Sequence, residues 1–99
     1  MAILDITLVA PNELRLVGDL DLSTAGAVRE AFSKIDGPIR LDLAGVRFID
    51  STGIALLLER RRRTPVTLVH ASRPVRQVMN LMLMHTTEEG LLQPGPSPL

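Results

Sequence analysis

The chain has 99 residues, of which 45% are hydrophobic, and its 11 basic residues equal its 11 acidic ones in number. A chain of this length forms one small domain, and its balanced charge argues against a polyanion as partner. No apolar run approaches the ~20 residues of a membrane span, and the N-terminus lacks the basic stretch of a signal peptide. We therefore expect a cytoplasmic protein without membrane contact. The absence of cysteine excludes disulfides and thiolate metal sites.

The first third of the chain predicts a hairpin followed by a helix. Residues 3–9 and 14–17 alternate apolar and polar side chains as strands do, and the Pro-Asn pair at 11–12 is typical of a turn. An apolar set with the i, i+3, i+4, i+7 spacing of a helix follows, and Ser23 or Thr24 is available as its N-cap. The members of that set are Val28, Ala31, Phe32 and Ile35. The order in this region is therefore β-β-α.

Two more strands and two more helices are predicted downstream. Residues 39–43 and 66–69 have the pattern of strands. The helix between them begins near Ser51 and has Arg60–Arg63 in its last turn, where the helix dipole favours cations. We interpret these arginines as a solvated helix end. A third helix begins at Ser72, and its apolar residues repeat the helical spacing: Val75, Val78, Met79 and Met82.

The C-terminal segment "TTEEGLLQPGPSPL", which begins at residue 86, has no periodic pattern. Its glycines and prolines cannot continue a helix or a central strand. We therefore assign residues 1–88 to the domain and residues 89–99 to a flexible tail rich in Pro and Gly.

The order β-β-α-β-α-β-α predicts an α/β domain with a mixed sheet. Right-handed crossovers place the helices mainly on one face of that sheet. Four strands are expected, with five as the alternative. Loops that leave the carboxyl ends of parallel strands meet at one edge. The loops expected to converge there are 18–21, 50–53 and 70–72.

The sequence Asp50-Ser51-Thr52-Gly53 marks the change from strand to helix, and it has two interpretations. The structural one is capping, because oxygens of Asp, Ser and Thr accept from free N–H groups at a helix start, a contribution of about 1 kcal/mol. The functional one begins from Gly53, because glycine in a helix costs up to ~1 kcal/mol against alanine. That cost indicates a close approach, which a partner protein or a phosphoryl donor would require. Composition alone leaves both interpretations open.

Three segments resemble, in this order and spacing, anti-sigma-factor antagonists of the STAS domain family: "GDLDLSTA" at 18–25, "IRLDLAGVRFID" at 39–50 and "DSTG" at 50–53. The resemblance covers about residues 3–90 and implies a single STAS-like domain. It implies that the protein binds an anti-sigma-factor serine kinase and so releases a sigma factor. Phosphorylation by that kinase would end the interaction, and a PP2C-type phosphatase would restore the unmodified protein.

The same resemblance assigns roles to individual residues. It implies that Ser51 is the phosphorylated residue, with Thr52 as a second candidate acceptor. Asp50 and Gly53 complete the motif, and a neighbouring contact loop holds further residues. The partner-binding residues that the resemblance implies are Asp21, Ser23, Thr24, Asp50, Thr52 and Gly53.

Other functions fit the sequence less well. The main alternative is a STAS-like regulatory subunit of a transporter, which needs the fold without the phosphoswitch. A hydrolase would need Ser51, His70 and Asp21 to meet as nucleophile, base and orienting acid, but there is no G-x-S-x-G elbow, so we expect no enzyme.

We also expect no metal or other cofactor, because His70 and His85 lack a ligand spacing and no glycine-rich phosphate loop is present. A monomer or a weak dimer without direct nucleic-acid binding is the remaining expectation.

Overall fold

The alternating residues near the N-terminus form an antiparallel hairpin, as predicted. A computed structural model of the protein describes residues 3–81 and 91–92. The elements follow the predicted order, and a short fifth strand is added. They are β1 (Leu4–Ala10), β2 (Glu13–Leu20), α1 (Ala25–Ser33), β3 (Ile39–Ile49), α2 (Ser51–Arg61), β4 (Val66–Val69), α3 (Arg73–Leu81) and β5 (Leu91–Leu92).

The five strands form one mixed sheet in the order β1-β2-β3-β4-β5. β2, β3 and β4 are parallel, whereas β1 and β5 pair antiparallel at the two edges. The register places Leu14 beside Leu41, and Leu41 beside Leu68, so these leucines share one face of the sheet. The predicted α/β fold with a mixed sheet is confirmed.

The leucine-rich face of the sheet and the helices form a single hydrophobic core. α1 and α2 contact each other, and α2 also contacts β3 and β4. Each large aliphatic side chain buried in this way contributes about 1.5–3 kcal/mol to folding. The core includes Leu14, Leu16, Leu20, Val28, Phe32, Leu41, Leu43, Ile54, Leu57, Leu68 and Val75. The apolar residues predicted for the first helix at positions 28, 32 and 35 all belong to it.

The arginines at the end of α2 differ from their sequence interpretation. Arg60 and Arg61 are buried, whereas Arg62 and Arg63 are exposed. The Arg60 guanidinium donates to the backbone carbonyls of Phe32, Ile35 and Gly37, at and beyond the C-terminus of α1. Carbonyls at a helix end have few intrahelical partners. Arg60 donates to those of Ile35 and Gly37, and it adds a second donor to that of Phe32, which also accepts from the N–H of Ile35. The interpretation as a solvated helix end is therefore wrong for two of the four arginines.

The predicted tail is described only in part. Leu91 and Leu92 pair with Thr67 and Val66 as strand β5, although both lie in the segment assigned to a tail. The rest of that tail, like Met82 of the predicted third helix, lies outside the described residues. Among the helices in the described ranges, none has the length and apolarity needed to cross a membrane.

Candidate functional site

The site lies where β2 and β3 end side by side. Leu20 and Ile49, the last residues of the two strands, pair with each other. The N–H of Asp50 then donates to the carbonyl of Leu20 at 3.3 Å, which ties the start of the second loop to the first. Two of the three predicted loops are therefore neighbours. Together with Ser23 and Thr24, which follow the first of them, they hold every residue of the expected partner-binding set.

Asp50 caps α2, as its position in the sequence suggested. Its backbone is extended, with φ −111° and ψ −175°, and its Oδ1 accepts from the N–H of Gly53 at 3.0 Å. The carbonyl of Asp50 also accepts from the N–H of Ile54. A cap of this kind stabilises a helix by about 1 kcal/mol. One oxygen of the Asp50 carboxylate is thus used to cap α2.

Ser51 is the first residue of α2, and its side chain is exposed. Within the described part of the chain its hydroxyl has no hydrogen-bond partner that would hold it, and Thr52 beside it is half-buried. The N-terminus of a helix presents free N–H groups and the positive end of the dipole. Ser51 is accordingly accessible from solvent, at a helix N-terminus, where negative charge is favoured.

Gly53 is buried, and the close approach predicted for it is made inside the molecule. A Cβ atom at this position would lie 2.5 Å from the carbonyl oxygen of Leu20 and 3.0 Å from Cγ1 of Ile49. Glycine is therefore needed so that α2 can begin directly against the ends of β2 and β3. The need for glycine is therefore explained by a contact inside the molecule, which positions Asp50 and Ser51, and the part of Gly53 in partner binding stays a prediction.

The loop after β2 is organised around Asp21. Oδ1 of Asp21 accepts from the hydroxyl of Ser23 at 2.6 Å and from its N–H at 2.9 Å. The Ser23 hydroxyl is the main reason why the pKa of Asp21 is lowered, and together with hydrogen bonds from the backbone of Ser23 and Thr24 it outweighs desolvation, which raises this pKa. Asp21 is therefore a carboxylate at neutral pH, held with Ser23 at the surface of the site.

Thr24 differs from its neighbours because it is buried. Its hydroxyl donates to the carbonyl of Asp19 at 2.8 Å and accepts from the N–H of Asp21 at 3.0 Å. As the residue before α1 it makes no side-chain cap, so the predicted capping role is not realised. The Thr24 hydroxyl thus stabilises the loop through these two hydrogen bonds, and the role of Thr24 in partner binding stays a prediction.

Two apolar side chains at this edge were missed by the sequence predictions. Leu22 is 76% exposed and Phe48 is 52% exposed. With Asp21, Ser23 and Asp50 they line an open depression of ≈ 410 Å³. Exposed apolar clusters rimmed by polar groups are typical of protein–protein interaction sites. The signal in the sequence was a leucine inside the polar run "DLDLST" and a phenylalanine next to the last residue of a strand.

The third predicted loop does not reach the site. β4 ends at Val69, which pairs with Asp42, whereas β3 continues for seven more residues to Ile49. At about 3.3 Å per residue, the end of β4 lies roughly 20 Å short of the end of β3. His70, with φ 60°, follows Val69 and therefore lies far from Ser51. The expected convergence of three loops is wrong, because the parallel strands differ in length.

The short β4 leaves His70 near Asp42 on the outer face of the sheet. The N–H of Ala44 donates to Asp42 at 3.0 Å, and Nε of Arg15 does so at 3.3 Å. The pKa of Asp42 is lowered, and the hydrogen bond from Ala44 is the largest cause. Burial raises this pKa, but Arg15 and the charge of His70 lower it further. This cluster is a second polar centre, separate from Ser51. Among the residues described, no three His, Asp or Glu side chains are arranged to hold a metal ion.

The comparisons with known proteins agree with this fold. The chain belongs to the family described as "Mlab, STAS domain", whose model matches residues 7–93. Two solved structures are similar to it. The anti-sigma factor antagonist SpoIIAA in its unphosphorylated form matches with a TM-score of 0.59 at 20% identity, over 80% of this chain and 83% of that one.

The second similar structure is the Bacillus cell fate determinant SpoIIAA in the phosphorylated form. It matches with a TM-score of 0.60 at 21% identity, over 81% of this chain and 83% of that one. No curated protein matches the chain. The predicted membership of the STAS domain family is confirmed, and the two structures support the fold.

Proposed function

We propose that the protein is an anti-sigma-factor antagonist. In this proposal it binds an anti-sigma-factor serine kinase through the edge formed by the loops after β2 and β3, and so releases a sigma factor. Phosphorylation of Ser51 by that kinase ends the interaction, and a PP2C-type phosphatase restores it. The observation that carries the proposal is the exposed Ser51 at the first residue of α2, directly after Asp50, which lines one depression with the exposed Leu22 and Phe48.

The surface around Ser51 supports binding of a protein. Leu22 and Phe48 offer apolar contact area, and Asp21 and Asp50 offer carboxylates on the rim of the same depression. Aromatic anchors surrounded by polar groups are the usual composition of the centre of an interface. A partner that fits this edge has an apolar contact at its centre and basic side chains around it.

The charge of a phosphate explains how one modification would end binding. A phosphoserine has a charge of ≈ −1.5 to −2 at neutral pH, and Ser51 lies next to the carboxylate of Asp50. A partner covering this surface would have to desolvate that charge. Disrupting a buried polar contact at an interface costs on the order of 2–5 kcal/mol, or roughly 30- to several-thousand-fold in affinity. That difference is sufficient to reverse a competition between the kinase's two partners.

The first experiment is to recover the protein from its native cells in growth and under stress, and to map phosphorylation by mass spectrometry. We expect phosphate on Ser51, with an occupancy that changes between the two conditions. The kinase is then identified by affinity capture with Ser51→Ala as bait, since this variant cannot be released by phosphorylation. Thr52→Ala separates the two candidate acceptors, because under this proposal it should still be phosphorylated on Ser51.

Binding to the captured kinase is then measured by calorimetry for the wild type and for Ser51→Asp. The proposal predicts that Ser51→Asp binds at least about 30-fold more weakly. Equal affinity for the two proteins would refute the phosphoswitch. If Ser51 is unmodified in both conditions and the bait captures a transporter instead, the regulatory-subunit alternative replaces this proposal.

A further inference from the structure

The outer edge of β1 has backbone groups with no partner in the described part of the chain. The carbonyl of Ile3 accepts from the N–H of Asp19 at 3.2 Å, so residue 3 turns its backbone groups towards β2. Hydrogen-bonded pairs alternate along an antiparallel ladder. Asp5 and Thr7 therefore also bond to β2. The N–H and C=O groups of Leu4, Ile6 and Leu8 point outwards, beyond the edge of the sheet.

This edge lacks the usual protection against strand pairing. Edge strands are normally guarded by lysine, by proline or by several charges. Between residues 3 and 9 the only charged side chain is Asp5, and there is neither lysine nor proline. Ile3 is 63% exposed and Leu8 is 60% exposed. The strand thus offers both unpaired backbone groups and apolar side chains at one edge.

We propose that β1 pairs antiparallel with β1 of a second copy of this chain, about a twofold axis at Ile6. In that register Leu4 lies opposite Leu8 of the second copy, and Asp5 lies opposite Thr7. All three outward-facing residues then form hydrogen-bonded pairs, and each exposed Leu8 gains an apolar neighbour across the axis. No like charges face each other.

The neighbouring registers fit less well. A twofold axis at Asp5 would place two carboxylates directly opposite each other, which is destabilising. An axis at Thr7 would pair Leu4 with Ala10, where the ladder between β1 and β2 is irregular. It would also move Ile3 beyond the end of the partner strand. The axis at Ile6 keeps Ile3 and Val9 at the two ends of one interface.

The second copy would also cover an apolar groove. This groove, of ≈ 320 Å³, lies between β1 and α1. Its apolar lining includes Ile6, Leu8, Leu14, Ala31 and Ile35. With the axis at Ile6, Leu4 of the second copy lies beside Leu8 on the helix-bearing face of the sheet, over the groove. The pairing would therefore bury apolar side chains of both copies between their two hydrophobic cores.

The symmetry has a consequence for the site at Ser51. In the joined sheet the β2 strands of the two copies run in opposite directions, so their carboxyl ends point away from each other. The two Ser51 sites would lie at opposite ends of the dimer, and both would stay accessible. The dimer could hold two partner molecules at once, although the pairing itself does not depend on the proposed function.

The first test is sedimentation equilibrium over about a hundredfold range of concentration, because self-association makes the mean mass depend on concentration. One strand pair buries less than the ~1,200 Å² of a standard interface, so a weak dimer is expected. Leu8→Lys should weaken association at least tenfold, since a lysine on an edge strand opposes pairing. Leu22→Lys, the same change at an even more exposed leucine away from β1, should associate like the wild type. A wild-type mass that stays monomeric at every concentration would overturn the proposal.

The register is tested by disulfide formation, which is unambiguous here because the chain has no cysteine. Asp5→Cys and Thr7→Cys change exposed side chains that face away from the core. When the two variants are mixed under oxidising conditions, the disulfide between position 5 of one copy and position 7 of the other should form in larger amount than the 5–5 and 7–7 disulfides. In the proposed register positions 5 and 7 lie opposite each other with Cα atoms ~4.5 Å apart, whereas two equivalent positions lie diagonally at ~7–8 Å. A dominant symmetric disulfide of either variant would overturn the twofold axis at Ile6.

Discussion

Replacement of Arg60 by alanine tests how a charged side chain stabilises the core. Arg60 is 6% exposed, and no carboxylate pairs with it among the described residues. Its guanidinium instead donates to the carbonyls of Phe32, Ile35 and Gly37 and lies 5.9 Å from the ring centre of Phe32. The negative end of the α1 dipole thus takes the place of a counter-ion.

The magnitude follows from two opposing effects. A hydrogen bond from a charged group contributes about 1.5–3 kcal/mol, and Arg60 makes three such bonds to carbonyls. Alanine also removes a guanidinium whose burial costs several kcal/mol, an effect seen in the lowered pKa of Arg60, which desolvation causes. We expect a net loss of about 3 kcal/mol in the free energy of unfolding. For a domain of this size that loss lowers Tm by roughly 12–24 °C.

The assay is urea unfolding followed by far-UV circular dichroism, because the chain has neither tryptophan nor tyrosine for fluorescence. Arg60→Lys should lie between the wild type and Arg60→Ala, since a lysine keeps the charge without the planar fork that reaches several carbonyls. Arg62→Ala is the matched control, and it should change stability by less than about 0.5 kcal/mol because Arg62 is exposed. If Arg60→Ala costs no more than Arg62→Ala, the carbonyl contacts do not stabilise the fold and the reasoning is refuted.

Three further predictions concern other parts of the molecule. Gly53→Ala should destabilise the protein by about 1–3 kcal/mol in urea unfolding, because its Cβ would overlap the Leu20 carbonyl. Gly26→Ala, in a helix with open space around the new methyl group, should instead stabilise it by about 0.5–1 kcal/mol. Asp42→Asn should lower the free energy of unfolding by about 1 kcal/mol at pH 7 and by less at pH 3. The reason is that the pKa of Asp42 is lowered in the folded protein, so its carboxylate stabilises the fold above about pH 4. That stabilisation is lost as the pH falls through the folded pKa. Leu22→Ser should weaken kinase binding by at least about tenfold in calorimetry without changing Tm, because its side chain is 76% exposed.

Each of these predictions has a result that would contradict it. The steric argument at Gly53 fails if Gly53→Ala is at least as stable as the wild type, and the prediction for Gly26 fails if Gly26→Ala is less stable than the wild type. For Asp42, the argument fails if the wild type and the Asn variant lose stability in parallel between pH 7 and pH 3. For Leu22, unchanged affinity for the kinase would show that the exposed leucine lies outside the interface.

The sequence predicted the elements well where a single local pattern determined them. The spacing of Val28, Phe32 and Ile35 located the first helix because the buried face of a helix repeats in sequence. The alternation that predicts β3 covers only residues 39–43, although the change from strand to helix was correctly placed at Asp50, because the ladder with β2 is irregular between Arg15 and Val17 and again between Gly18 and Asp19. Such irregularities break the alternation of buried and exposed residues, so the pattern stops before the strand does.

The features that were missed depend on contacts between distant residues. The burial of Arg60 requires three carbonyls from residues 32–37 to face the end of α2, and a run of arginines at a helix end gives no sign of that. The separation of His70 from Ser51 depends on where β4 ends relative to β3. Topology predicts which loops share an edge, whereas strand length decides whether they meet.

Within the "DSTG" segment, the residues that build the fold and the residue proposed as the switch have separate contacts. Asp50 and Gly53 turn inwards, one to cap α2 and the other to pack against Leu20. Ser51 turns outwards, and none of these contacts involves its hydroxyl. A phosphate there would add charge next to Asp50, which lines one depression with Leu22 and Phe48, while the hydrogen bonds that start α2 do not involve the modified hydroxyl. Under the proposed function, affinity for a partner therefore responds to a modification that leaves the stability of the domain unchanged.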